Sequence, residues 1–347
     1  MDDFIIIPDL TDGLREANRK IRARRSAGRG AEHTTGIRSG DLLELSVPCG
    51  QCPHDAAGCC IMCNYWTPGV LLPEEEILEE AAALISGKGK GIRKLLLSVS
   101  GSMLDRRCVA EPVLKGLLTL AENCEAERII IETHLDTINE AVLLFIRTIV
   151  KKPVILEVGL ESVDAFVQHN CYLKDVPTEQ LEGAFHLGKK YNMEYQLNLM
   201  LGAPFLSRAE QLEDAERSLR WALEHAAYAA LFPLTVKPHT LLNFAFRHGM
   251  YSPVSAPVTA ELLCRFTPEE LDRIDVLWQG NEEGDELFYR AFNAAGPEER
   301  KALADSFLHR ESEWHGRSFA GTEKDKETRI IQQQLELTAL LKKEGLL

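Results

Sequence analysis

Six short apolar runs punctuate the first 240 residues: LLELSV (42–47), KLLLSVSGS (94–102), RIIIETH (128–134), PVILEVGLES (153–162), YQLNLMLGAPF (195–205) and YAALFPLTVK (228–237). Each is strand-length and ends in polar or Gly/Pro residues. The stretches between them repeat apolar residues at helical spacing. LLPEEEILEEAAALISG (71–87) opens with acids and stops at Gly87, and VLKGLLTLAENC (113–124) follows. TINEAVLLFIRTIV (137–150) has a Thr at its start, PTEQLEGAFHLGKKYN (177–192) comes next, and 207–226 opens with Ser207 and Glu210 as a capping box. A strand followed by five helix–strand repeats predicts parallel pairing with right-handed crossovers. Six strands are too few for a closed eight-fold barrel. The expected fold is α/β, a partial (β/α)6 barrel of parallel strands. Past residue 252 the strand signal fades, and 264–278, 296–308 and 326–343 read as a C-terminal helical region. The chain divides into an N-terminal extension with a basic linker (1–40), the partial barrel (41–252) and the helical cap (253–347).

The chain has 347 residues, 45% of them hydrophobic, which is enough for a full core without disulfide staples. MDDFIIIPDL carries acids before a short apolar run, the reverse of a secretory leader, and no segment has the apolar length of a membrane span. The expected location is the cytoplasm, where clustered cysteines serve as metal ligands or reactive groups more often than as bridges. The net charge of −14 gives no electrostatic pull on nucleic acid. One segment runs against it: REANRKIRARRSAGRG (15–30) is strongly basic and reads as a solvated helix and linker, or as an arm for a polyanion.

The chemistry concentrates in VPCGQCPHDAAGCCIMCNYW (47–66), where five of nine cysteines fall within fifteen residues. The loop follows the first barrel strand and so lies at the C-terminal edge of the sheet, where α/β active sites gather. Two metals suit it. Cys49-x2-Cys52 with Cys60-x2-Cys63 makes a four-thiolate pattern for zinc. Three thiolates holding an iron–sulfur cluster would instead leave one iron open. His54, inside the loop, reads as a surface histidine. Among the other cysteines, Cys108, Cys124 and Cys264 read as helix or core residues.

The loop resembles the cluster loop of radical S-adenosylmethionine (SAM) enzymes. The common C-x3-C-x2-C spacing is missing: Cys59 and Cys63 are three apart, but the next required position is Trp66. The segment from Cys52 through x7 to Cys60-Ile61-Met62-Cys63-Asn64-Tyr65 is similar to the longer-gap variant in the radical SAM subunit family of archaeal archaeosine synthase. SGSMLD (100–105), EVGLES (157–162) and LMLGAPFLS (199–207) resemble further segments of that family in the same order. Cys59 stands where that family usually has Gly, and Cys49 is additional.

The resemblance implies a [4Fe-4S] cluster on Cys52, Cys60 and Cys63, with SAM as cofactor. Met62 would lie against the adenine, and Gly101 and Ser102 would bring backbone to the methionyl group. Glu132 and Glu161, at strand ends, would hold the SAM amine or ribose. Asn198 and Lys237 are candidate substrate contacts. The implied chemistry is one-electron cleavage of SAM, driven by a donor such as flavodoxin or ferredoxin and directed at a small-molecule substrate. Three alternatives stay open. The Cys-Cys-x-x-Cys string is similar to the arsinothricin-pathway radical enzyme, which implies a 3-amino-3-carboxypropyl radical, with Cys49 and Cys59 holding a thiophilic substrate such as trivalent arsenic. A tRNA deazaguanine lyase of archaeosine type is the second, and a non-catalytic zinc-binding protein the third.

Overall fold

The computed structural model describes residues 8–24, 33–64, 72–176, 178–277, 283–308 and 325–347. Its frame is one sheet whose strands lie side by side in chain order: β1 (Thr35–Ser39), β2 (Leu42–Val47), β3 (Lys94–Val99), β4 (Arg128–Thr133), β5 (Val154–Glu161), β6 (Met193–Leu201), β7 (Tyr228–Pro233) and β8 (Ile274–Val276). β1 runs antiparallel to β2, and every other neighbouring pair is parallel. The sheet curls into a half-barrel. β2 to β7 are the six expected strands. β1 and β8 are additional, and each extends one edge.

Side-chain parity along the strands separates two faces. Leu43, Leu45, Leu95, Leu97, Ile129, Ile131, Leu156, Val158, Leu197 and Leu199 are buried in one apolar core beneath the helices. Each such burial contributes about 2 kcal/mol. The alternate positions carry Glu44 and Ser46 on β2, Ser98 on β3, Glu132 on β4, Glu157 on β5, and Gln196 and Asn198 on β6. Leu96, Ile130 and Ile155 share this face in the layer of Glu44, and the next layer toward the strand C-termini, with Ser46, Ser98, Glu132, Glu157 and Gln196, is polar.

Three local expectations change. The helix expected from residue 137 begins at Glu140, with Asn139 accepting from the Val142 amide. Thr137 belongs instead to a 3-10 turn, and its hydroxyl donates to the His134 carbonyl at 2.7 Å. The helix expected over 264–278 divides into a short turn, Pro268–Leu271, and β8, because Ile274 and Val276 alternate around Asp275 and pair with β7. The basic N-terminal segment is not a solvated helix as far as residue 24. Helix α1 (Pro8–Ala23) buries Leu14 and Ala17 in a second apolar cluster shared with Tyr172, Leu241 and the C-terminal helix Lys326–Lys343, and it also buries Asn18 and Arg22. Residues 25–30 of the basic run lie outside the described residues. Among the described residues no helix is long and apolar enough to cross a membrane.

Candidate active site

The cysteine loop leaves β2 at Val47 and passes through the short helix α2 (Pro53–Ala56), with Cys52 at its N-cap and Pro53 in its first turn. Gly58 and Cys60 adopt left-handed backbone, with φ of +81° and +58°. A side chain at position 58 would meet the Arg15 carbonyl at 2.3 Å, so glycine lets the loop lie directly on α1. The far end is pinned by Ile61, whose amide donates to Tyr172 O at 3.1 Å and whose carbonyl accepts from Leu242 N at 3.1 Å.

Helix α1 clamps this loop. The Arg22 guanidinium, 3% exposed, forms an ion pair with Asp55 at 2.6 Å. It also donates to the carbonyls of Asp55 (3.0 Å), Cys59 (2.9 Å), Cys60 (2.9 Å) and Cys63 (3.0 Å). Asn18 donates to Gly58 O and accepts from the Leu241 amide, both at 3.0 Å.

The thiols divide into groups. Burial pushes Cys52 up to about 12, reinforced by Cys63 and Cys108 and opposed by the amides of Asp55 and His54. Cys60 is raised well above its ordinary value by burial, with Lys174 opposing and Cys63, Glu161 and Cys52 adding. Cys52, Cys60 and Cys63 thus feel one another's charge. Cys59 differs: after burial its leading influences are Arg15, Asp175, Arg22 and Lys174, and no other thiol is among them. Cys49 lies toward Cys108 and Glu132, and burial pushes it up to about 12. Cys49 and Cys59 therefore stand on different sides of the loop.

The loop after β3 closes over Cys52. A methyl group at Gly101 would meet Cys108 Sγ at 2.9 Å and Cys52 Cβ at 3.4 Å. Cys108, read from the sequence as a core cysteine, therefore abuts the cysteine loop, and its thiol faces the Gln51 carbonyl at 3.8 Å. Ser102 is fully buried, its hydroxyl sharing hydrogen bonds with Thr133 (2.8 Å) and Thr137 (3.3 Å) and accepting from the His134 amide (3.1 Å).

A buried cation sits beneath the thiols. Burial works against the charge of Lys174, but Glu161, Cys60 and Cys52 hold it protonated. Its ammonium pairs with Glu161 and donates to Gly159 O at 3.0 Å. His54 is half-buried rather than a surface histidine, and its ring meets that of His134 edge-on at 4.6 Å. Burial and then Lys174 keep both imidazoles neutral, with His134 pushed down to about 2. With Asp136 they form the one group among the described residues whose metal-binding atoms all lie within 4.8 Å. The positive charges of Lys174 and Arg107 act on both imidazoles and oppose a cation there.

No family model matches the chain. It is 26% identical over 262 residues to an uncharacterised protein of Methanocaldococcus jannaschii, covering 72% of each chain. It is also 26% identical over 234 residues to archaeosine synthase subunit beta of Methanosarcina acetivorans, covering 65% of this chain and 66% of that one, so about a third of that relative lies outside the match. Among solved structures, methylornithine synthase shares the fold with a TM-score of 0.50 at 15% identity, over 97% of this chain and 92% of its own. The chain resembles the radical SAM superfamily.

The radical SAM expectations can now be set on the fold. Cys52, Cys60 and Cys63 gather at the C-terminal edge of β2, and Gly101 packs directly on Cys52. Met62 is buried in the second apolar cluster with Tyr172 and Leu242. Glu132 accepts from the Ser98 hydroxyl at 2.5 Å on the concave face. Glu161 is tied to Lys174, and the Ser102 hydroxyl is engaged inside the fold. Asn198 donates to Glu157 at 2.8 Å. Lys237 lies past β7, half-buried, its carbonyl accepting from Thr240 at 2.8 Å. Tyr65 and Trp66 lie outside the described residues.

Sequence reasoning missed Arg22, Lys174, Glu157 and the His54–His134 contact. Glu157 had a signal, since it shares the parity of Glu132, Gln196 and Asn198 along their strands. Lys174 had none: a π-turn (Gln168–Tyr172) and a left-handed Leu173 deliver it to the site.

Proposed function

We propose that the chain is a radical SAM enzyme that holds a [4Fe-4S] cluster on Cys52, Cys60 and Cys63 and acts on a small-molecule substrate. The observation that carries this reading is the mutual influence of Cys52, Cys60 and Cys63 in the loop after β2, with Lys174 beside Cys52 and Cys60, whereas no other thiol is among the leading influences on Cys59. The donor set fits the cluster. Soft thiolates suit iron–sulfur clusters, and three of them leave a position for cofactor. A tetrahedral zinc, with Zn–S bonds of about 2.3 Å, draws its sulfurs to roughly 3.8 Å from one another. Among the described residues the group with ligand atoms within 4.8 Å is the two histidines and Asp136, and no cysteine belongs to it.

Bound together, the cluster and SAM supply one-electron cleavage of a carbon–sulfur bond, with a donor such as flavodoxin or ferredoxin providing the electron. The chain supplies the setting. Arg22 and Asn18 fix the loop backbone from outside. The N-cap amides of α2 turn toward Cys52 and favour its thiolate. Lys174 offsets the negative charge of ionised Cys52 and Cys60. Gly101 brings the β3 loop within van der Waals distance of Cys52 and leaves a backbone edge for a bound methionyl group.

A small-molecule substrate is favoured by the fate of the basic segment. Arg15 is paired with Asp175, Arg19 with Glu16, Arg22 with Asp55, and Arg24 donates to the Gly345 carbonyl. Among the described residues these cations are engaged within the protein; residues 25–30 of the run lie outside them. The relation to archaeosine synthase subunit beta makes a tRNA deazaguanine substrate the alternative. The aminocarboxypropyl alternative gains no support from Cys49 and Cys59, which do not face one another.

The test is anaerobic purification, followed by incubation with dithionite and SAM and identification of products by mass. Brown protein giving methionine and 5′-deoxyadenosine is expected. Cys52→Ala, Cys60→Ala and Cys63→Ala should each lose iron and product while keeping the wild-type circular dichroism. Cys59→Ala should keep its iron. Methylthioadenosine as product would establish aminocarboxypropyl chemistry, and colourless, zinc-loaded protein would end the radical SAM reading.

A further inference from the structure

The concave face carries a second polar constellation below the cysteine loop, and it includes Glu132, for which the resemblance implied a SAM contact. Glu157 on β5 stands in register with Glu132 on β4 and with Gln196 on β6. Its carboxylate accepts from Asn198 Nδ2 at 2.8 Å. Asn198 is 8% exposed, and its Oδ1 has no hydrogen-bond partner. Glu132 takes the Ser98 hydroxyl. Glu44 lies on the same face of β2, and burial raises its pKa.

This is an excess of acceptors without a cation. Among the described residues none of Glu44, Glu132 and Glu157 is paired with a Lys, Arg or His. The strongest charges acting on them are other carboxylates: Glu157 and Glu44 on Glu132, and Glu44 and Asp275 on Glu157. Elsewhere the chain pairs its buried charges, Lys174 with Glu161 and Arg22 with Asp55. Without a cation these carboxyl groups are held toward their protonated forms, Glu157 also taking a hydrogen bond from Gln196, and a buried amide oxygen left without a donor is costly. Both are relieved by one kind of guest, a nitrogen cation with several N–H donors. A primary ammonium has three such donors and no acceptor. Between Glu132 on one side and Asn198 on the other, with Glu157 in the middle, it finds three acceptors on adjacent strands.

We infer that the concave face binds the primary ammonium group of a cationic substrate through Glu132, Glu157 and the Asn198 side-chain oxygen. The inference rests on the radical SAM reading for the position of the reaction centre, at the strand ends above this layer. The acidic layer would hold the charged end of the substrate below and direct the remainder upward toward Cys52, Cys60 and Cys63.

The test uses the cluster-loaded protein saturated with SAM, with n-pentylammonium as probe and n-pentanol as its neutral counterpart, read by titration calorimetry. Pentylammonium should bind at least about tenfold more tightly than pentanol, since charge-assisted hydrogen bonds are the strong ones. Glu132→Gln, Glu157→Gln and Asn198→Leu should each remove that preference, with circular dichroism and iron content unchanged. Near neutral pH the binding should also release protons, visible as a dependence of the heat on the buffer's ionisation enthalpy. Burial, then Glu157, holds Glu132 at about 8. Burial, then Glu44 and Asp275 against the hydrogen bond from Asn198, holds Glu157 at about 7. An arriving cation ionises both. Equal affinity for the two probes, or a preference that survives all three substitutions, overturns the inference. So does binding that SAM abolishes, which would make this the seat of SAM's own amine. Each of these outcomes leaves the cluster reading intact, because iron content and colour are measured on the same samples. Protein that never takes up iron overturns the cluster reading instead.

Discussion

Replacing Arg22 is the most demanding perturbation of the site. It touches no proposed ligand side chain, yet it removes the one group that holds the carbonyls of Cys59, Cys60 and Cys63 together. Arg22→Ala leaves Asp55 unpaired at a position where the two side chains are 3% and 2% exposed. Removing one partner of a buried ion pair costs about 3–5 kcal/mol. The freed carbonyls lose charge-assisted bonds of about 1.5–3 kcal/mol each, but water entering the vacated space replaces most of them. The expected total is about 4–6 kcal/mol, a large share of the roughly 5–15 kcal/mol that holds a domain folded. Arg22→Lys should fall between, because a single ammonium cannot fork to Asp55 and three carbonyls at once. Urea unfolding of the metal-free chain gives the stability, and iron content after anaerobic reconstitution gives the consequence for the loop. A loss below about 1 kcal/mol together with full iron occupancy would refute the argument that α1 organises the loop. A double-mutant cycle with Asp55→Ala should return a coupling above about 1 kcal/mol.

Gly101→Ala places a methyl group 2.9 Å from Cys108 Sγ and 3.4 Å from Cys52 Cβ. It should cost about 1–3 kcal/mol and lower iron uptake, and adding Cys108→Ala should restore both. Binding of tRNA should show no steep salt dependence between about 50 and 200 mM, because the arginines of α1 are engaged within the protein. Sub-micromolar affinity that collapses over that range would revive the tRNA-lyase reading. Glu132→Gln tests the concave face by pH. Burial first, then Glu157, raises Glu132 to about 8, above an unfolded value of about 4.3. The folded state therefore binds the extra proton, and this group's contribution to stability is lost as pH rises from about 4 to 8. The variant should gain thermal stability over the wild type at about pH 8 and little at about pH 5, and a gain equal at both would show that Glu132 is not held protonated.

Much of the frame was legible because parallel strands and their crossover helices repeat a local pattern. β2 and the helix Arg208–His225 with its capping box lie within a residue of expectation. The strands missed, β1 and β8, are short edge segments of five and three residues, stabilised by a neighbour rather than by their own pattern. The basic segment was misread for a related reason. Leu10, Leu14, Ala17 and Ile21 form an apolar stripe at helical spacing. The charges between them dominate the composition, and composition cannot say that Arg22 continues the buried stripe and that its charge is spent on a loop almost forty residues away in the chain.

The candidate site divides along the same line. The cysteines could be named because ligand spacing within one loop is a local property. Which thiols neighbour one another is not: Cys52, Cys60 and Cys63 act on one another, with Lys174 beside Cys52 and Cys60, while the strongest influence on Cys59 after burial is Arg15. The polar face of the half-barrel lies between these cases. The parity of Glu44, Ser98, Glu132, Glu157, Gln196 and Asn198 is readable strand by strand, so the chain announces which residues look inward. It does not announce register, and register puts Glu132 beside Glu157 rather than beside a lysine. A shift of one residue along β5 would turn Glu157 into the apolar core and leave Glu132 a lone acid. The accumulation of unpaired carboxylates is thus a property of the assembled sheet, and it is the feature that points to a positively charged substrate.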